Sequence, residues 1–213
     1  KYGINTTLSA FAEVQNYVER LARAKVAALP NGTWETVDYI DMDPEVGDGL
    51  IPIRVKMTIT DDEILYDLSG SHSYIGCFLN AGFGASLSAA YSGTKTFFPE
   101  IPLNSGFYRV VKIELPENSV VNAPAPVAVT GFCSGAYEKI MSACFELWSN
   151  IMPERAIACS FNLEYLLIGG WDQRQEQDKY FMWYDWMAGG HGGRSDRDGV
   201  NATSPTFGLG LSV

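Results

Sequence analysis

The sequence predicts an α+β fold, mixed α/β layers in which antiparallel or mixed sheets pack with three main helices. Three observations predict it. Apolar residues recur every three or four positions in three stretches of helical length. A strict period of two runs through 51–60. The two patterns alternate along the chain as helix, strands, helix, strand, helix, strands, so layers of both kinds must share a core.

Residues 7–29 read as the first helix. Leu8, Phe11, Val14, Val18, Leu21 and Ala28 fall on one face, Thr6 or Thr7 can cap the start, and Arg20, Arg23 and Lys25 suit the negative end of the dipole. Pro30-Asn31-Gly32 stops it. Thr33 to Ile40 reads as a strand. Ile51, Ile53, Val55, Met57 and Ile59 then alternate with polar residues, which gives a strand with one buried face. Asp61-Asp62 turns the chain into a further strand through Ile64, Tyr66 and Leu68.

Asn80 can cap a second helix near 81–98, with Leu87, Tyr91, Thr94 and Phe98 on one face and Pro99 at its end. Phe107 to Leu115 reads as a strand, and Asn104-Ser105-Gly106 before it as a turn. Residues 134–151 form the third helix, with Tyr137, Ile140, Met141, Cys144, Leu147, Trp148 and Ile151 on its apolar side. Strands near 156–160, 163–169 and 180–188 follow. The organisation is therefore a helix at 1–30, a β region at 32–70, and an α/β core at 80–213 with a glycine-rich loop at 189–194.

Composition excludes several classes. Fifteen Lys and Arg against 25 Asp and Glu leave a net charge of −10, which repels phosphate backbones and argues against a nucleic-acid partner. No apolar run approaches the roughly 18 residues of a membrane span. No signal peptide pattern is visible at the N-terminus. Cys77, Cys133, Cys144 and Cys159 form no C-x-x-C pair, and His72 and His191 are far apart, so neither a zinc cluster nor a disulfide framework is expected. Reduced thiols point to the cytoplasm.

Gly189-Gly190-His191-Gly192-Gly193-Arg194 is the strongest local feature. It reads as a surface glycine turn or as a polar site. As a site, its glycines would open backbone N–H groups to an anion or a planar substrate. His191 would supply an acid, base or ligand, and Arg194 a fork for a carboxylate or carbonyl oxygen, with Asp196 and Asp198 orienting that arginine. The glycine spacing matches neither a Rossmann fingerprint nor a P-loop. The preceding Tyr180–Met187 stretch is so aromatic that a strand buried on both sides, or one lining a pocket, is expected. Asp185 within it needs a partner if buried, or works on substrate. Cys133, just before the third helix, reads as buried and inert, with no histidine beside it in sequence.

In order along the chain, several stretches resemble the hydantoinase B/oxoprolinase family. They are Tyr2-Gly3, Ala28-Leu29-Pro30-Asn31-Gly32-Thr33, Asp67-Leu68-Ser69-Gly70-Ser71, residues 101–109 (Ile-Pro-Leu-Asn-Ser-Gly-Phe-Tyr-Arg), residues 116–124, and the glycine loop with Asp198-Gly199. The resemblance implies an internal segment, 1–213, of a larger cytoplasmic subunit. It further implies a hetero-oligomer with a hydantoinase A-like ATP-binding subunit and a small third subunit in some relatives. ATP and Mg are then expected on the partner, and a divalent Mn or Zn upstream of this segment, which itself binds no metal. The implied activity is ATP-dependent opening of a cyclic amide such as a hydantoin or 5-oxoproline. Ketone carboxylation with bicarbonate is the alternative: residues 130–135 and 198–205 depart from the lactam-opening pattern and leave the substrate class open, and the aromatic Tyr180–Met187 strand suits a ketone carboxylase. His191, Arg194 and Asp185 are the catalytic candidates, and Gly189, Gly190, Gly192, Gly193 and Asp198 the substrate-binding ones. A third reading makes the chain an assembly module that docks through apolar residues of the first and third helices.

Overall fold

The alternation at 51–60 becomes an inner strand of a four-stranded sheet. In the computed structural model, which describes residues 2–41, 49–160, 164–174, 179–187, 189–204 and 209–210, β1 (Gly32–Ile40), β2 (Ile51–Thr60), β3 (Glu63–Asp67) and β4 (Val111–Glu114) lie side by side in that order. The β1–β2 and β2–β3 pairs are antiparallel and β3–β4 is parallel. Ile51, Ile53, Val55, Met57 and Ile59 are all buried, each stabilising the fold by about 1.5–3 kcal/mol. On the other face Lys56 stands between Glu35 and Asp67 in register. The chain shows the expected α+β class, and it divides into two compact units, Lys1–Ala156 and Ile157–Val213. The sequence reading placed no boundary at 156.

Four helices belong to the first unit: α1 (Ile4–Val26), α2 (Phe83–Phe97), the single turn α3 (Ser105–Tyr108) and α4 (Ala136–Ile151). α4 buries Tyr137, Ile140, Met141, Cys144, Leu147 and Trp148, as its spacing predicts, and packs on α2, β1 and β2, while Ile151 at its end is only half-buried. α2 is rotated from its predicted face. It buries Ser86, Ala89, Ala90, Gly93, Thr94 and Phe97, while Leu87 and Tyr91 are only half-buried. The reason is helix separation. A side chain at Gly93 would place its Cβ 2.6 Å from Cys144 Cβ, so α2 meets Cys144 with a glycine, while Phe97, one turn on, packs against Phe145 and Trp148 of α4.

A buried hydrogen-bond chain crosses this contact. Trp148 Nε1 donates to the Tyr66 hydroxyl at 2.7 Å, and Tyr66 OH lies 2.7 Å from Thr94 Oγ1. Thr94 donates its proton to the Ala90 carbonyl at 2.8 Å, which leaves Tyr66 as donor to Thr94. Burial, and then the neighbouring Cys144, hold the Tyr66 hydroxyl well above its usual pKa, and burial pushes the Cys144 thiol up to about 12. Both groups stay neutral.

Several local expectations are corrected. α1 starts at Gly3, with φ +75°, and not at a threonine cap; the Thr7 hydroxyl instead donates to the Gly3 carbonyl at 3.0 Å. Only the C-terminal half of α1 is covered. Val18, Ala22 and Val26 are buried, but Leu8, Phe11 and Val14 are more than half exposed. Arg23 ties this covered half to the β2–β3 turn through Asp62 (3.0 Å) and Glu63 (3.2 Å). Asn80 does not cap α2, whose cap is Gly82. It is fully buried, accepts from Ile75 N at 2.8 Å, and donates to the carbonyls of Ile75, Cys77 and Ala128. The predicted 107–115 strand begins only at Val111, because Asn104 caps α3 by accepting from Gly106 N at 2.8 Å. Arg109 then reaches Glu19, Asn16 and Gln15, each at 3.0 Å, and locks α3 to α1.

The second unit holds an antiparallel ribbon, β5 (Glu164–Asp172) with β6 (Lys179–Met187), and a short pair, β7 (Thr203–Ser204) with β8 (Leu209–Gly210). The predicted 156–160 strand reduces to one bridge, Ile157 to Arg194. The aromatic strand is not buried on both sides. Tyr180, Phe181, Met182, Trp183 and Tyr184 are all exposed within this chain, because a two-stranded ribbon covers neither of its own faces. Residues 163 and 188, where two predicted strands reached further, and Pro205 lie outside the described residues.

The core makes a stability prediction. Tyr66→Phe leaves Trp148 Nε1 without its acceptor and Thr94 without its donor, and should lower stability by about 1–3 kcal/mol. Gly93→Ala should cost a similar amount, about 1–3 kcal/mol, through overpacking. Urea unfolding followed by tryptophan fluorescence reads both, with the exposed Lys112→Ala as an unchanged reference.

Candidate functional site

The glycine-rich loop is held from two sides by its own unit. On one side runs 157–160: Ala158 N donates to the Gly193 carbonyl at 2.9 Å, and Gly192 N donates to the buried Ser160 hydroxyl at 2.9 Å. On the other side runs 199–201: His191 N donates to the Val200 carbonyl at 2.9 Å, and Gly190 bridges to Asn201. Arg194 N donates to the Arg197 carbonyl at 2.9 Å and closes a tight turn. The glycines make these approaches possible. A Cβ at Gly192 would collide with the Ala158 carbonyl, and one at Gly199 with the His191 carbonyl. Gly190 has φ +132°, a conformation that favours glycine.

This packing changes the expected use of the backbone. The N–H groups of His191, Gly192 and Arg194 are bonded within the unit, so the loop does not present them to a ligand. What it presents is side chains. His191, Arg194, Arg197, Asp198, Gly199 and Val200 line a cavity of about 220 Å³. His191 Nδ1 is itself buried, with no hydrogen-bond partner among the described residues, which costs about 1–3 kcal/mol. Burial, and then the positive charge of Arg194, lower the His191 pKa from its usual value. Its imidazole is therefore neutral at pH 7 and can accept a proton or donate one from a single nitrogen.

The structure brings together His191, Arg194 and Asp198. Asp185 lies elsewhere, on β6 opposite Leu166, and is exposed. Asp196 does not orient Arg194; its carboxylate lies 3.8 Å from Arg197. Gly189 is exposed and Gly193 faces open space. Two residues that sequence reasoning passed over belong to the site. Arg197 lines the cavity, and Ser160 fixes the loop; only the density of charge at 194–198 hinted at the first, and nothing in the sequence marked the second. Cys133 is buried in a turn before α4, as an inert thiol would be, and Cys159 is exposed. His72 bonds the Ser73 carbonyl through Nδ1 at 2.8 Å. Among the described residues, no three His, Cys, Asp or Glu side chains converge to hold a metal, and no helix is long and apolar enough to cross a membrane.

Comparison with known proteins decides the family. The model of the Hydantoinase B/oxoprolinase family matches residues 1–211. The chain belongs to the hydantoinase B/oxoprolinase family. A relative from Pseudomonas sp. (strain NS671), provisionally named as the B-type component of a D-/L-hydantoinase, is 27% identical over 222 residues, 97% of this chain and 36% of that protein. An uncharacterized protein of Methanocaldococcus jannaschii is 30% identical over 196 residues, 90% of this chain and 32% of its own length. This hydantoinase B-family chain thus spans about a third of the curated relatives it matches. Two solved structures share its fold. The ATP-dependent caprolactamase from Pseudomonas jessenii has a TM-score of 0.77 at 24% identity, over 97% of this chain and 36% of that one. An acetone carboxylase in its nucleotide-free state has a TM-score of 0.67 at 19% identity, over 90% and 28% respectively.

The loop's packing predicts its sensitivity. Ser160→Ala removes the acceptor of Gly192 N–H and should destabilise the second unit by about 1–3 kcal/mol. Gly192→Ala should be at least as damaging, since its neighbour is rigid backbone. Amide hydrogen exchange at 190–194 should accelerate in both variants, with 83–97 in the first unit unchanged.

Proposed function

We propose that this chain is part of the hydantoinase B-type subunit of an ATP-dependent complex that opens a cyclic amide of the hydantoin or 5-oxoproline class. The observation that carries the reading is the cavity in which Arg194 lies beside a neutral His191 with an unpaired Nδ1. Arg194 can donate to a ring carbonyl and draw electron density from it, while His191 handles the ring nitrogen's proton. Family membership and the hydantoinase component among its relatives support the amide substrate. ATP and Mg would sit on a hydantoinase A-like partner subunit of a cytoplasmic hetero-oligomer, with a small third subunit in some assemblies. A divalent Mn or Zn would be held outside these residues, and no step here is assigned to it. Asp198 lines the site, Gly190 and Gly192 hold the loop backbone beneath it, Gly189 and Gly193 would meet substrate only from the open side of the loop, and Asp185 would act from β6 only when the assembled complex brings it near.

Ketone carboxylation is the second reading, and the fold shared with an acetone carboxylase supports it. A docking role is the third. The apolar side of α4 is buried in the core, so docking would use the exposed Ile4, Leu8, Phe11 and Val14 of α1.

The test uses the assembled complex. ATP consumption should depend on a hydantoin or 5-oxoproline, and His191→Ala and Arg194→Ala should each lower kcat by roughly 10²-fold or more. Carbon from labelled bicarbonate appearing in a ketone-derived product would establish the carboxylase reading instead. Unchanged turnover in both variants, with assembly lost when Phe11 is replaced by Asp, would establish the docking role.

A further inference from the structure

We infer that the cavity lined by His191, Arg194 and Arg197 binds an oxyanion, a carboxylate or phosphoryl group carried at one end of a ligand. The inference rests on the reading of this loop as the substrate site and names the group the site holds.

Size comes first. About 220 Å³ lies below the roughly 300–1,000 Å³ of pockets that enclose whole ligands. The cavity takes an end group, not a nucleotide. Charge comes next. In a chain of net charge −10, two arginines, Arg194 and Arg197, line this one small space. Arg194 is half-buried and forms no ion pair among the described residues. Arg197 meets only Asp196, at 3.8 Å, and both of those side chains are more than 60% exposed, so solvent weakens that pair. Asp198 also lines the cavity and offsets one of the two positive charges. The remaining excess of positive charge suits an oxyanion.

Geometry supplies the third argument. Guanidinium forks bind two oxygens of one planar or tetrahedral oxyanion in parallel. Burial and the nearby Arg194 lower the His191 pKa, so the ring lines the cavity without adding a third positive charge beside the two arginines.

The chain carries one other histidine, His72, in the first unit, which provides an internal reference. Ring resonances of both histidines are followed in the full chain at constant ionic strength while three probes are titrated: inorganic phosphate, 5-oxoproline and the uncharged lactam 2-pyrrolidinone. The expected result is a saturable shift at His191 and none at His72, for at least one of the two anions and not for 2-pyrrolidinone. Arg194→Gln should weaken that binding tenfold or more and Arg197→Gln severalfold. Arg174→Gln, at the β5–β6 turn and paired with Asp172, should bind as the parent does. Response to phosphate alone assigns the group to a phosphoryl donor or intermediate. Response to 5-oxoproline alone assigns it to a substrate carboxylate. Equal response to the uncharged lactam, no saturable shift with either anion, or unweakened binding in Arg194→Gln would overturn the inference. Loss of turnover in the Arg194→Gln complex with anion binding intact would overturn it too, yet leave the loop as the active site. Intact turnover with anion binding lost would do the reverse.

Discussion

The hydroxyl of Tyr66 is fully buried and must find its hydrogen bonds inside the protein. It finds them on two different helices, accepting from Trp148 on α4 and donating to Thr94 on α2. Tyr66 itself belongs to β3. One group thus fixes the placement of two helices against the sheet. The fit is completed by Gly93, whose missing side chain admits Cys144, and by the stacked and edge-on contacts of Phe97 and Phe98 with Trp148. A large side chain at position 93 would push α4 away and strain the buried hydrogen-bond chain. The glycine of α2 and the large-residue face of α4 are therefore two sides of one requirement.

The second unit follows a different rule. Its loop is held by backbone against backbone, at spacings that only glycine tolerates. The N–H groups of His191, Gly192 and Arg194 are bonded inward, and His191, Arg194 and Arg197 line the cavity. Rigid support of this kind suits a site, because a side chain is positioned only as well as the backbone beneath it. The apolar ribbon of β5 and β6 carries no comparable internal cover. Leu167, Trp171, Met182 and Trp183 are exposed in a chain that spans about a third of its curated relatives.

Much of the fold was legible. The alternation at 51–60 and the helical spacing at 134–151 identify buried faces that the structure reproduces, except that Ile151 is only half-buried. His191, Arg194 and Asp198 were recognisable as neighbours because they share a short loop. Less was legible where a residue's role depends on a partner far along the chain. Asn80 has the chemistry of a helix cap, yet its amide organises a buried loop through Ala128. Asn104-Ser105-Gly106 looks like a turn, yet it starts a helical turn that Arg109 fastens to α1. Ser160 is one serine among many until Gly192 is placed against it.

The sequence by itself determined the α+β class, the register of alternation in β2, the buried stripe of α4 and the glycine loop as the candidate site. Each rests on periodicity or composition over a few neighbouring residues, which local geometry converts directly into a face or a turn. Only the tertiary structure decided which face of α2 is buried, how much of α1 is covered, and that Arg197 joins His191 and Arg194 around one cavity. These outcomes depend on how closely two distant segments approach. Separation is set by the side chains of both partners at once, and a single strand of sequence lists only one partner at a time.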